Sequence, residues 1–204
     1  EGYAYAEKRG EEMWEFPSFS WGGVNGAVEI LLTSQTYIKD LFVHTREIKG
    51  DKAILQVRLE IENTTRELFK GQILLGLLHW YPEEGPNEER FTVNVNARPM
   101  TTTIVEEDIG LKNPALWESW DPNLYLVHAI LTEDGRACDD IYETFGVRTI
   151  TARDGKFFLN GKPIVLSAMH DNVEYPGSSP RCPDDYWIVQ DILLHKAAGM
   201  VAAR

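Results

Sequence analysis

Cysteine is scarce in this chain: Cys138 and Cys182 are its only two. Two cysteines make neither a disulfide framework nor a zinc-ligand pattern, and both are expected to be free thiols. Positive charge is also in short supply. Lysine and arginine number 20 against 32 aspartates and glutamates, for a net charge of −12. The one basic run, "AEKRG" at Ala6–Gly10, is followed at once by Glu11 and Glu12. Neutralising nucleic-acid phosphates takes clustered Lys and Arg, so no nucleic-acid partner is expected. Long apolar runs are missing as well. The longest, "ILLGLLHWY" at Ile73–Tyr81, falls well short of the ~18 residues of a membrane span, so no membrane partner is expected either. The opening "EGYAYAEKRG" has none of the apolar core of a secretory signal.

What is present is the composition of a folded protein. The 204 residues are 43% hydrophobic, 25% charged and 11% aromatic, which excludes disorder over most of the length. The first 26 residues read as aromatic and loop-rich. Strands are expected at Ala27–Ser34 and Tyr37–Thr45. The clearest element is "KAILQVRLEIEN" (Lys52–Asn63). Leu55, Val57, Leu59 and Ile61 share one face; Gln56, Arg58, Glu60 and Glu62 share the other. Period two with one polar face is the mark of a half-buried strand in an antiparallel sheet. "FKGQILLGLLHWY" (Phe69–Tyr81) is more apolar and is expected to lie deeper. "EEGPNEER" (Glu83–Arg90) reads as a solvated loop. Further strands are expected at Phe91–Asn96, Thr101–Asp108, Leu124–Gly135 and Ala137–Ile150. About seven strands in series, without intervening helices, favour an immunoglobulin-like β-sandwich.

After Ile150 the pattern changes. "TARDGKFFLNGKP" holds two turn signals, Asp154-Gly155 and Asn160-Gly161, as a hairpin would. "PIVLSAMH" (Pro163–His170) alternates little and reads as a strand buried on both faces. "DDYWIVQDILLHKAAG" (Asp184–Gly199) reads as a helix capped by Asp184 and ended by Gly199. Ile188, Val189, Ile192, Leu193 and Ala197 would form one apolar face. "MVAAR" would open a second buried strand. Strand, helix, strand is one βαβ unit, the start of a parallel sheet.

Four of these stretches resemble, in order, the motifs of glycoside hydrolase family 2. "WGGVNGAVEILLTSQTYIKDLFV" resembles the family's passage from a sugar-binding jelly roll into a sandwich. "NPALWESWDPNLYLVHAIL" resembles the signature near the sandwich's end. "ETFGVRTITARDGKFFLNGKPIVLSAMH" resembles the bridge into a TIM barrel, and "DDYWIVQDILLHKAAGMVAAR" the first barrel helix and second barrel strand. The resemblance implies a mainly β chain: residues 1–34 as the tail of a jelly roll, 35–150 as an immunoglobulin-like antiparallel sandwich, and 151–204 as the hairpin and first βαβ of an incomplete TIM barrel. Pro163 to Arg204 supplies 42 residues, against the ~250 of a whole barrel. β-Galactosidases, β-glucuronidases and β-mannosidases share these motifs. The implied function is that of a fragment of a retaining β-glycosidase, with a carbohydrate substrate for the full-length enzyme and no cofactor. A non-enzymatic β-sandwich module that binds carbohydrate or protein is the alternative, because a fold alone does not fix a function.

Retaining glycosidases work with two carboxylates about 5–5.5 Å apart. The resemblance places both on later barrel strands, so no catalytic residue is expected in this chain and the chain alone should be inactive. The only Asn-Glu pair, Asn87-Glu88, lies in the acidic loop. Asp139, Asp140 and Glu143 are expected to be surface charge. No metal site is expected. Arg204 matches the arginine that closes the family's second barrel strand, which implies that it orients the nucleophilic carboxylate in a complete enzyme. His170 and Asn172 follow the first barrel strand, where a pocket-lining role and a plain loop role are both open. Gly26, Ser167 and Ala168 depart from the family pattern. Trp117 and Trp120 are expected to pack rather than to stack on sugar. The sequon Asn63-Thr64-Thr65 reads as chance. The apolar surface of the barrel stub is expected either to associate with another copy or to be the least ordered part of the chain.

Overall fold

The computed structural model describes residues 3–9, 12–18, 28–85, 88–169 and 185–203. Period-two alternation is its organising feature. Ala53, Leu55, Val57, Leu59, Ile61 and Asn63 are each at most 1% exposed, and the residues between them face outward.

The chain divides into two compact units. One takes in residues 31–165, the other the first 30 residues together with 166–204. In the second unit, β1 (Tyr3–Arg9) and β2 (Glu12–Ser18) form an antiparallel hairpin. This corrects the loop-rich reading of the first 26 residues. Alternation is weak there, so the strands left little trace in the sequence. The reverse holds for the expected strand at Ala27–Ser34. Its described part forms no strand, with Val28, Ile30, Leu31 and Leu32 more than four-fifths exposed. Apolar alternation marks a strand only where a neighbour accepts its hydrogen bonds.

The first unit begins with β3 (Thr36–Lys49), β4 (Lys52–Asn63), β5 (Phe69–Tyr81), β6 (Glu88–Ala97) and β7 (Thr101–Lys112). A two-residue pair follows, β8 (Trp117–Glu118) and β9 (Asp121–Pro122), then β10 (Leu124–Glu133) and β11 (Arg136–Phe145). The expected loop at Glu83–Arg90 is therefore shorter than read, because its last residues already pair as β6 with β5. One antiparallel sheet has the order β3-β4-β7, the other β11-β10-β5-β6. Their inner faces share one core, built around Leu55, Leu59, Ile61, Ile73, Leu75 and Leu131. This is the expected antiparallel sandwich.

Two bulges close one side of it. On β11 the pairing steps from Leu131↔Asp139 to Thr132↔Ala137, which leaves Cys138 unpaired. On β3 it steps over Lys39. Bulges re-aim side chains, and here the Asp139 carboxylate crosses to the other sheet and accepts the Ile38 N–H at 2.7 Å. Ser34 Oγ donates to the Cys138 carbonyl at 2.5 Å beside it.

The loop after β4 hangs on Asn63, which has no exposed surface. Its Oδ1 accepts from Thr36 Oγ1, Thr65 N and Thr65 Oγ1 at 2.8–3.2 Å. Its Nδ2 donates to the carbonyls of Glu67 and Ala97 at 2.9 and 3.1 Å. The sequon is thus an internal anchor, and its amide nitrogen has no room for a glycan in the folded chain.

Beyond the sandwich, β12 (Ile150–Arg153), β13 (Lys156–Leu159) and β14 (Lys162–Ile164) form an antiparallel meander within the same unit. Its turns are the two expected ones: Asp154, Gly155, Asn160 and Gly161 all have positive φ.

The second unit also holds β15 (Ala168–Met169), α1 (Asp185–Ala197) and β16 (Ala202–Ala203). β15 and β16 pair in parallel. The helix ends as expected. Gly199 has φ +79°, its N–H donates to Lys196 O, and the Met200 N–H donates to His195 O, the two bonds of a Schellman close. The proposed cap, Asp184, lies outside the described residues. Two expectations change here. The run Pro163–His170 is not one buried strand; Val165 is 82% exposed, and its pairing is split between β14 and β15. The helix is not one-faced, because Tyr186, Trp187 and Leu194 add apolar surface outside the expected stripe. Apolar surface this wide on a helix is normally covered by a neighbour.

Replacing Asn63 by Ala removes the partner of two carbonyls, Glu67 O and Ala97 O, and of three donors, Thr36 Oγ1, Thr65 N and Thr65 Oγ1. Urea unfolding of the Asn63→Ala chain is expected to lose about 3 kcal/mol of sandwich stability; a loss below about 0.5 kcal/mol, ordinary for a surface position, contradicts the anchor.

Candidate functional site

Three sequence motifs converge where the sandwich hands over to the meander. β8 begins at Trp117, whose N–H donates to Val147 O at 3.0 Å. Gly146 lies flat against this indole; a Cβ there would sit 2.7 Å from Trp117 Cβ and Cγ. The Arg148 guanidinium covers the ring, 4.2 Å from its centroid, and the Arg148 N–H donates to Thr45 Oγ1. Asn160, in the turn between β13 and β14, completes the junction. Its Nδ2 donates to Trp117 O at 3.0 Å, its Oδ1 accepts the Thr149 N–H at 3.0 Å, and its own N–H donates to Thr149 O. Lys162 Nζ meets Glu118 Oε1 at 2.9 Å on the outside. The turn asks for a residue that tolerates positive φ. The junction asks for one that both donates and accepts, and asparagine meets both demands.

This geometry fixes the meander to the sandwich, and among the described residues Asp139, Asp140 and Glu143 each have separate partners. Asp139 is committed to the Ile38 amide. Asp140 pairs with His128 at 3.0 Å, and the His128 ring stacks on Tyr142 at 4.0 Å. Glu143 accepts from the neighbouring Thr144 N–H. None of the three is aimed with another at a shared point. A groove of about 760 Å³ runs beside Ser34, Thr64, Arg66, Glu67 and Glu133, but the hydroxyls along it are spent on protein carbonyls and on Asn63. Among the described residues no group of His, Cys, Asp and Glu is placed to hold a metal ion, and no helix is long and apolar enough to cross a membrane. Trp117 packs as expected. Trp120 does not; it is 65% exposed, on the open corner between β8 and β9. Arg204, His170, Asn172, Cys182, Gly26 and Asn87 lie outside the described residues. Ser167 is described, and its carbonyl accepts the Val201 and Ala202 N–H groups, tying the chain before β15 to that before β16.

Cys138 is a free thiol whose Sγ donates to Leu131 O at 3.2 Å. Burial pushes its pKa up, helped by the charges of Glu133 and Asp139. The protonated form is therefore favoured by folding, and that contribution is lost as pH rises through the folded value. Alkylation of Cys138 at mildly alkaline pH is expected to run several-fold slower in the folded chain than in urea; equal rates contradict the burial.

Asn160→Gly keeps the positive φ and removes the side chain. Amide exchange is expected to rise several-fold across 150–164 and to stay unchanged across β4 and β5. Unchanged exchange in the meander would show that Asn160 does not hold it.

Residues 36–148 match the family model for glycosyl hydrolases family 2. The chain is similar to a β-galactosidase of Thermoanaerobacter pseudethanolicus, 26% identical over 165 residues that cover 80% of this chain and 21% of that protein. Among solved structures it is similar to a glycosyl hydrolase family 2 member from Bacteroides cellulosilyticus, with 26% identity and a TM-score of 0.69 over 84% of this chain and 24% of that one. A β-glucuronidase of Bacteroides uniformis shares the fold at 21% identity and a TM-score of 0.64, over 80% of this chain and 20% of the other. The chain thus spans only about a fifth to a quarter of the length of these relatives. With the family match covering more than half of the sequence and running the length of the seven-stranded sandwich, the chain belongs to glycosyl hydrolase family 2.

Proposed function

We propose that this chain is the non-catalytic portion of a retaining β-glycosidase: the tail of a jelly roll in residues 1–34, the spacer sandwich in 35–150, and the opening βαβ of a TIM barrel in 151–204. The observation that carries this reading is the parallel β15-α1-β16 unit. Its helix exposes Trp187, Ile188, Val189, Ile192, Leu193 and Leu194, in a chain that spans about a fifth of a β-galactosidase relative. A free-standing sandwich has no use for such a unit, whereas a barrel buries it. The carbohydrate substrate and both carboxylates then belong to the longer protein. Arg204 closes the second barrel strand and orients the nucleophile, and His170 and Asn172 line the pocket after the first. Barrel active sites gather at that end of the strands.

The chain alone is expected to show no turnover on a panel of chromogenic β-galactosides, β-glucuronides and β-mannosides. The protein read on past Arg204 is expected to hydrolyse at least one with retention of configuration. In that longer protein Arg204→Ala should lower kcat/KM about a hundredfold or more. Turnover by this chain at the rate of the longer protein would overturn the reading. So would a longer protein with no pair of barrel carboxylates, which would favour a binding module.

A further inference from the structure

The two sides of the sandwich are closed differently. Along one, β3 meets β11, and Asp139 bonds the Ile38 amide across the gap. Along the other, the facing edges are β6 and β7, with no backbone ladder between them. On both of these edges a carboxylate occupies a position whose neighbours face the core. On β7, Val105, Glu107, Ile109 and Leu111 lie opposite Leu59, Val57, Leu55 and Ala53, all four nearly inaccessible. Ile109 and Leu111 are buried and Val105 packs on the core, yet Glu107 is exposed. On β6, Glu89, Phe91, Val93 and Val95 lie opposite Leu77, Leu75, Ile73 and Gly71. Here Val93 and Val95 are buried, Phe91 packs on the core, and Glu89 is exposed. Burial raises the pKa of Tyr125 on the inner face of β10, with a smaller contribution from the charge of Glu89.

The outward acids of β7 have cations: Glu106 lies near Arg58, and Asp108 bonds Arg46. Glu107 and Glu89 have no such partner among the described residues. An edge strand with an apolar inner face and free backbone groups is a template for pairing with another chain. A second copy that added its strand to β7 or β6 would continue the inner face over these positions and cover both carboxylates without a counter-charge, which is costly. We propose that Glu89 and Glu107 keep the sandwich from associating with a second copy through its β6 and β7 edges.

The test is sedimentation of the full chain together with amide exchange along the two edges. The double variant Glu89→Val with Glu107→Val is expected to self-associate with a dissociation constant lowered about tenfold or more relative to the parent. New protection should appear at the amides of 88–97 or 101–112 that point away from the neighbouring strand. Exchange at those amides separates edge pairing from any association through α1. Glu106→Val, on the outward register of the same strand, should behave as the parent. If the valine pair fails to fold, the near-isosteric Glu89→Gln with Glu107→Gln is expected to shift association in the same direction by a smaller factor. Parent-like association and exchange in the foldable pair would overturn the proposal, as would an equal shift from Glu106→Val.

Discussion

Burial of the inner face of β4 is the constraint on which the rest of the sandwich depends. Every second residue from Ala53 to Asn63 is withdrawn from water, and a one-residue slip would expose all of them. Burial of this kind, at about 25 cal/mol per Å² of apolar surface, is the main favourable term in the fold. It fixes the register of β3 and β7 on either side and the distance at which the four-stranded sheet must lie. The polar features follow from that distance. Asn63 ends the row where the apolar residues stop, and it can hold the next loop because it arrives already buried. Asp139 can reach across to β3 because the bulge at Cys138 brings it to the gap between the sheets.

The junction at Trp117 extends the same logic beyond the sandwich. The last core residues of this unit include Phe145 and Val147. Between and just after them, Gly146 lies against the Trp117 indole and the Arg148 guanidinium covers it. The meander is thereby fixed to a rigid element rather than hung from a linker. On the reading proposed above, this is what the sandwich offers a longer glycosidase: a rigid support for chemistry that lies elsewhere.

The sandwich was legible in the sequence because its strands are half-buried, so that the alternation in Leu55, Val57, Leu59 and Ile61 maps directly onto the core. β4 and β5 agree with the reading to the residue. The two glycine turns were legible because positive φ restricts residue choice. Misreadings fell where an apolar pattern lacked a neighbour. Val28–Leu32 alternates like a strand but has no strand partner among the described residues. Pro163–His170 reads as doubly buried, but nothing among the described residues covers it. The hairpin of β1 and β2 was missed for the opposite reason: pairing partners adjacent in sequence need little alternation. The junction was half legible. "LWESW", "FGVR" and "LNGK" stood out as motifs, but that Asn160 bonds Trp117, 43 positions away in sequence, is a property of the fold alone.

On the proposed reading, residues 166–203 are the opening of a larger domain rather than a self-sufficient tail. Amide exchange across α1, β15 and β16, compared between this chain and the protein extended beyond Arg204, addresses it directly. The account predicts that these amides exchange several orders of magnitude more slowly in the longer protein, while β4 and β5 exchange alike in both. Equal protection of α1 in the two proteins would contradict it.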